Sequence, residues 1–150
     1  MRRMVALAFG LLLAGCATAY QPMSATGGYS EVQLNADTYQ ITVAGNGYTS
    51  TDRAQKIGLL RASELTLSAG FKRFVVVGGG VGQQYAGNAP VVANAIGNTV
   101  IATGGGPIMK PGGSLVIHFV APTDPAFATA LDAALIASQL RPQLEPQPQS

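Results

Sequence analysis

Three kinds of side chain in this sequence could do chemistry: one thiol, one imidazole and one closely spaced pair of charges. The thiol is Cys16 and the imidazole is His118, and each residue type occurs once. One cysteine cannot form an internal disulfide, and one histidine cannot form a multi-histidine metal site. Arg61 and Glu64 are spaced i, i+3, so on a helix they can form an ion pair. No other constellation is typical of catalysis, and we predict no metal, no cofactor and no catalytic residue.

The thiol follows a segment that is typical of a secretory signal. Arg2 and Arg3 form a basic start, and residues 4–13 are almost wholly apolar. A short apolar run of this kind is typical of a signal peptide, whereas a membrane-spanning helix needs about 20 apolar residues. We therefore predict a signal peptide over residues 1–15.

The residues next to the cysteine extend this interpretation. Leu13-Ala14-Gly15 followed by Cys16 resembles the lipobox of bacterial lipoproteins. The resemblance implies that Cys16 becomes the mature N-terminus and carries a thioether diacylglycerol and an N-acyl chain such as palmitate. Two or three acyl chains make a lasting anchor, because one chain binds a membrane only marginally. Neither Ala17 nor Thr18 is aspartate, which in such lipoproteins implies sorting to the outer membrane, facing the periplasm. The alternative is an ordinary signal cut near Ala17 or Ala19.

Charge and length limit the classes of function. Without Arg2 and Arg3, seven basic side chains balance seven acidic ones, so the formal charge is zero. A neutral chain without a basic stripe has no electrostatic reason to bind nucleic acid. Once Cys16 is acylated, no thiol remains for catalysis. The remaining length suffices for one domain with a hydrophobic core.

The composition changes along the chain and predicts three further parts. Residues 16–30 are small, polar and glycine-containing, as expected of a lipidated flexible tether. Residues 31–140 predict one α+β domain with a glycine-rich insertion over 78–113. Residues 141–150 are rich in proline and glutamine and predict a disordered tail.

Hydrophobic periodicity predicts the order β-α-β-(ribbon)-β-α, with two helices on one face of a small mixed sheet. Residues 38–44, 71–77 and 114–120 read as strands. A helix from Ala54 to Ala69 lies between the first two, and this spacing favours a crossover that makes them parallel. A second helix is predicted to start at Asp124. Its expected inner stripe is Phe127, Leu131, Ala134, Leu135 and Ser138.

The insertion carries a single charge, Lys110. Within it, two apolar runs flank Gly97-Asn98, a pair suited to a tight hairpin turn, so the segment is either a β-ribbon or a mobile loop. Gly78–Gly82 follows a strand as a dinucleotide loop does, but no helix follows to hold a phosphate. We interpret it as a turn.

Two interpretations of the charged pair remain open. Arg61 and Glu64 fall on the apolar face of the first helix, and in the structural interpretation they lock it against the sheet with a hydroxyl from Tyr29 or Tyr39. In the functional interpretation they line a ligand pocket or an acid–base site together with His118. His118 itself is expected in mid-strand, on the face opposite its apolar neighbours.

The first half of the sequence resembles a family of small proteobacterial lipoproteins without an assigned activity. The resemblance covers residues 28–77 and is carried by Gly28-Tyr29-Ser30, by Gly45-Asn46 with Thr49, and by Arg61-Ala62 with Glu64-Leu65-Thr66. It implies a lipoprotein and adds no activity.

These observations predict a non-enzymatic lipoprotein, held at the outer membrane through Cys16, that acts as an envelope structural or adaptor component. Its partners would be the membrane and an envelope protein or the cell wall. The alternative is a tethered periplasmic domain that binds a small ligand or is an enzyme. A third possibility is self-assembly through an edge of the 91–102 ribbon.

Overall fold

A computed structural model describes residues 16–88, 92–96, 99–103 and 107–145. The predicted signal peptide lies outside the described residues. The α+β fold is confirmed, and the order of strands and helices follows the prediction with two additions, β1 and β7. The helices are α1 (Thr51–Ser68) and α2 (Ala133–Leu144), with a 3-10 turn at Pro125–Ala128. The strands are β1 (Gly28–Asn35), β2 (Thr38–Ala44), β3 (Arg73–Asn88), β4 (Val92–Ile96), β5 (Thr99–Thr103), β6 (Pro107–Val120) and β7 (Leu131–Asp132).

Five strands form one sheet in the order β1-β2-β6-β3-β7, and every neighbouring pair is antiparallel. Because β2 and β3 both pair with β6, they run parallel to each other, as the crossover predicts. They are not neighbours, however, and the sheet is antiparallel where we expected a mixed one. The reason is that β3 and β6 are the two strands of one long hairpin, and β6 lies between β3 and β2.

Helix α1 covers one face of this sheet. Ser50 caps it by accepting from the Arg53 amide, and Asp52 lies at the positive end of the helix dipole. Gly58 permits close approach, because a Cβ there would lie 2.9 Å from the Leu115 side chain. The largest fully buried apolar side chains come from α1, β2, β3 and β6, among them Ile57, Leu60, Ile41, Val43, Phe74 and Ile117.

Helix α2 begins later than predicted. Asp124 caps only the 3-10 turn, and Asp132 caps the helix by accepting from the Leu135 amide. Since the pairing of β7 with β3 fixes where the helix starts, a different face turns inward. Ala133 and Ala137 are buried, whereas Leu131 and Leu135 of the predicted inner stripe are exposed.

Both ends of the described chain differ from the prediction. The predicted tether contributes to β1, which pairs with β2 from Gly28 onward, and Thr18 is buried. Residues 141–144 of the predicted tail continue α2. The physical reason is the same at both ends: partners that are distant in sequence hold the segments, as described below.

The glycine-rich insertion is built as β-ribbon. β3 and β6 remain paired from Arg73↔Val120 to Asn88↔Pro107, with register shifts at two points. β4 and β5 form a separate antiparallel pair in the predicted hairpin arrangement, with Ile96 opposite Thr99. The turn at Gly97-Asn98 lies outside the described residues.

Candidate functional site

Arg61 and Glu64 lie in one polar cluster between α1, β1 and the N-terminal segment. The Arg61 guanidinium contacts both carboxylate oxygens of Glu31 on β1, through Nη2 at 2.5 Å and Nε at 3.2 Å. This two-point geometry is the strong form of an arginine–carboxylate pair. Arg61 also lies 3.5 Å from Glu64 and 4.9 Å above the Tyr29 ring. The closest acidic partner of Arg61 is therefore Glu31, and Glu64 is its second.

Glu64 connects the cluster to two further parts of the chain. It accepts a hydrogen bond from the Tyr20 hydroxyl at 2.5 Å and another from Arg141 Nη2 at 2.9 Å. Tyr20 precedes β1, and Arg141 is on the last turn of α2. The rings of Tyr20 and Tyr29 pack with their centroids 4.8 Å apart. The cluster thus ties the N-terminal segment, β1, α1 and α2 together.

The prediction that a tyrosine joins the charged pair needs a correction. The hydroxyl comes from Tyr20, which we had assigned to the tether. Tyr29 contributes its ring face to Arg61, and Tyr39 packs on Phe119 with ring centroids 5.4 Å apart. Both are on neighbouring strands, so the sequence could not decide which ring reaches the helix.

Two pKa shifts describe the electrostatics of the cluster. Burial raises the pKa of the Tyr20 hydroxyl, and its hydrogen bond to Glu64 raises it further. The hydrogen bond from Arg61 to Glu31 raises the pKa of the guanidinium against the opposing effect of burial. Both shifts favour the protonated form of each group, which is the form that donates these hydrogen bonds.

The structure does not bring His118 to this cluster. His118 is on β6, between Ile117 and Phe119, which are buried under the helices. Its side chain lies on the other face of the sheet, as predicted. There Nδ1 lies 3.1 Å from the Thr38 hydroxyl and 3.4 Å from Asp37. Arg61 and Glu64 therefore share no pocket with His118.

Cys16 is exposed at one end of the domain and is closely attached to it. Its carbonyl oxygen accepts from Asn46 Nδ2 at 2.8 Å. Two residues later, Thr18 is 1% exposed. Its hydroxyl accepts from Thr49 Oγ1 at 2.7 Å and from the backbone N–H of Asn46 at 3.0 Å. Arg53 Nε donates to the Thr18 carbonyl at 2.8 Å. The link between the candidate lipid site and the folded domain is therefore a single residue, Ala17.

A groove lies on the sheet face that the helices leave uncovered. Its volume is about 520 Å³, and its floor includes glycines of β3 and β6. Polar side chains line it, among them Gln40, Thr42, Gln84 and Ser114. These neutral groups can donate and accept hydrogen bonds but cannot act as a strong acid or base.

The described ranges contain neither a cluster of metal-ligating residues nor a membrane-spanning helix. No group of three or more His, Cys, Asp or Glu in these ranges could hold a metal ion. No helix there is long and apolar enough to cross a membrane.

Sequence reasoning missed three members of the cluster: Tyr20, Glu31 and Arg141. Glu31 had a misleading signal: the alternation in Gly28–Asn35 indicates a strand, but it would turn Val32 and Leu34 inward, whereas both are exposed and Glu31 is half-buried. Tyr20 and Arg141 had none, because their partner Glu64 is 44 and 77 residues away in sequence.

No protein-family model matches the chain, and it has no significant match among curated proteins or solved structures.

Proposed function

We propose that this protein is a lipoprotein anchored to the outer membrane through acylated Cys16, facing the periplasm. In this proposal it acts as an envelope structural or adaptor component and not as an enzyme. The observation that carries the proposal is the position of Cys16, which directly follows Leu13-Ala14-Gly15 and is exposed beside the packed domain. An exposed residue at this position is compatible with acylation beside a folded domain.

The polar cluster supports a structural role. Arg61 is engaged by Glu31 and Glu64, and Glu64 in turn by Tyr20 and Arg141. Among the described residues, no buried side-chain nitrogen or oxygen lacks a hydrogen-bond partner. Groups that satisfy one another in this way have little capacity left for a substrate, and separating them would expose partly buried charges.

Metabolic labelling with a fatty-acid probe tests the anchor. Wild type should incorporate the label, and Cys16→Ser should not. Equal labelling of the two chains would refute the lipid attachment. An Ala17→Asp variant tests the sorting: it should keep the label and move from the outer-membrane fraction to the inner-membrane fraction. If Ala17→Asp still fractionates with the outer membrane, the residue after Cys16 does not decide the sorting of this protein.

Crosslinking in intact cells, followed by purification of the adducts, tests the adaptor role. We expect one reproducible envelope protein or cell-wall fragment that is captured by wild type and lost when the domain is unfolded by mutation. If the domain captures the same set of proteins whether folded or not, it is not an adaptor.

The groove on the uncovered sheet face favours one second candidate, a tethered domain that binds a small neutral ligand. Its amide and hydroxyl side chains suit hydrogen bonds to sugar or peptide groups. Thermal stabilisation by soluble cell-wall fragments, abolished in a Gln40→Ala, Gln84→Ala double variant, would support this candidate. If cell-wall fragments stabilise wild type and the double variant equally, the groove is not the binding site and this candidate is rejected.

A further inference from the structure

The end of the sheet that carries Cys16 also carries a projecting arm. At Ala44, the last residue of β2, the partner on β6 is Gly112, and Gly112 pairs with Gly82 of β3. Just beyond, the Gly45 amide donates to the Pro111 carbonyl at 2.7 Å, and Asn46 holds the Cys16 carbonyl. One end of the molecule therefore holds Cys16, the loop before α1 and the part of the hairpin at Gly82 and Gly112.

β3 and β6 continue beyond this level. Their pairing runs from Gly82↔Gly112 to Asn88↔Pro107, and a strand rises about 3.3 Å per residue. The arm, residues 83–88 and 107–111, therefore extends about 20 Å past the end of β2. Within the described residues, no further strand pairs with either outer edge of the arm.

The face of the arm on the side of the helices is uncharged and carries two large exposed side chains, because Lys110 pairs with Gln84 and so lies on the opposite face. Gln83 donates to Thr51 at the start of α1, so Tyr85, two residues later, lies on the same face. Met109 is directly opposite Tyr85. Tyr85 is 64% exposed and Met109 is 45% exposed. The sequence has no charged residue between Arg73 and Lys110.

The loop before α1 adds a second aromatic side chain. Tyr48 is 78% exposed, although its amide is held by the Asn46 side chain at 3.0 Å. The same Asn46 side chain binds the Cys16 carbonyl. Tyr48 is thus presented on an ordered turn beside the candidate lipid site.

We propose that this end of the molecule lies on the bilayer, with Tyr48, Tyr85 and Met109 in the membrane interface. The inference rests on the proposed acylation of Cys16. Only Ala17 separates Cys16 from buried Thr18, so the acylated residue can move no more than about 7 Å from the domain. The lipid therefore fixes which end of the molecule meets the membrane.

The chemistry of the surface matches the interface and not the hydrocarbon core. Tyrosine is enriched at the level of the lipid headgroups, where its ring and hydroxyl meet different surroundings. A two-stranded arm has unpaired backbone groups along both edges, and such groups are costly in hydrocarbon. The arm therefore lies at headgroup depth, where water and headgroups can satisfy those edges.

Tryptophan fluorescence tests this orientation directly, because the chain contains no tryptophan. The reporters are Tyr48→Trp and Tyr85→Trp, each introduced into the full acylated protein. The matched control is Leu34→Trp, since Leu34 is 52% exposed and precedes the turn at the opposite end of β2. Each protein is reconstituted into phosphatidylethanolamine and phosphatidylglycerol vesicles, with and without brominated acyl chains.

We expect a blue shift and quenching by the brominated lipid for Tyr48→Trp and Tyr85→Trp, and neither effect for Leu34→Trp. If the mass of the protein shows acylation but all three variants behave like Leu34→Trp, the orientation is wrong and the anchor stands. If the mass shows no acylation, the anchor and the orientation both fail. If the Tyr85→Trp indole is shielded from aqueous iodide in cell envelopes but not in pure vesicles, a protein partner covers the arm and the lipid assignment is overturned.

Discussion

The hydroxyl of Tyr20 donates to Glu64 at 2.5 Å and so joins the segment before β1 to the middle of α1. This contact makes the residues next to Cys16 part of the folded domain. If the proposed acylation of Cys16 is correct, a domain held at Thr18 and Tyr20 can turn less freely above the membrane than one on a flexible tether. The same contact is sensitive to pH, since it requires the protonated hydroxyl.

Removing the Tyr20 hydroxyl should change the stability in alkaline solution. Burial and the bond to Glu64 raise the pKa of Tyr20 above the unfolded value of about 10. The folded state therefore holds this proton more tightly, and its contribution is complete below about pH 10 and is lost as the pH rises. The loss cannot exceed about 1.4 kcal/mol per pH unit, and solvent screening of the partly exposed side chain makes it smaller.

The measurement is urea unfolding of wild type and Tyr20→Phe from about pH 8 to about pH 11, a range that crosses the unfolded tyrosine pKa. The difference between the two should shrink with rising pH. Tyr48→Phe, at an exposed position, should show a constant difference from wild type. A pH-independent difference for Tyr20→Phe would mean that the hydroxyl is not held as described.

Truncation of Arg61 should be much more costly than truncation of an exposed lysine. Arg61→Ala leaves two partly buried carboxylates, Glu31 and Glu64, without their shared cation, and should lower the free energy of unfolding by about 2 kcal/mol. Arg61→Lys should recover only part of this loss, because an ammonium cannot make the two-point contact.

The control is Lys56→Ala, which breaks an i, i+4 pair to exposed Asp52 on the same helix. It should cost less than about 0.5 kcal/mol. Urea unfolding at neutral pH measures all three variants. If Arg61→Ala and Lys56→Ala lower the free energy of unfolding by similar amounts, the cluster stabilises the fold no more than an exposed ion pair does.

Loss of the Thr18 hydroxyl should loosen the N-terminal segment. In Thr18→Val the shape is kept, but the Asn46 amide and the Thr26 carbonyl lose their partner. Leaving buried polar groups unsatisfied costs about 1–3 kcal/mol. Limited proteolysis should then cut between Cys16 and Tyr20 faster than in wild type.

Thr26→Val is the matched control, because the Thr26 side chain is exposed and bonds only neighbours in its own turn. Its cleavage rate should equal that of wild type. If Thr18→Val is cut no faster than Thr26→Val, the buried threonine does not hold the segment.

Two adjacent glycines at the base of the hairpin should differ strongly in how much stability they lose on substitution by alanine. Gly79 has φ +81°, and a Cβ there would overlap the Ser114 carbonyl, so Gly79→Ala should cost at least about 2 kcal/mol. Gly80 has nothing within 4 Å of its Cβ position, so Gly80→Ala should change stability by less than about 1 kcal/mol. Thermal unfolding compares the two, and equal effects would contradict the register of β3 against β6.

The parts of the fold that the sequence predicted correctly depend on interactions between residues that are close along the chain. The helix between the first two predicted strands and the strand at residues 38–44 depend on residues that are close in sequence, as does the ribbon, which was one of two alternatives for the insertion. The predicted start of α2 was wrong because Asp124 and Asp132 are equally suitable caps in their local sequence. Only the pairing of β7 with β3 determines which of them starts the helix.

The sequence by itself determined the α+β class, the resemblance of residues 13–16 to a lipobox and the i, i+3 spacing of Arg61 and Glu64, because each depends on neighbours along the chain. The tertiary structure decided that Glu31, Tyr20 and Arg141 complete the charged cluster. It also decided that the supposed tether packs on the domain, at the same end as the hairpin arm. These contacts join residues 30 to 77 positions apart, and the free energy that selects them comes from burial and pairing across the folded molecule.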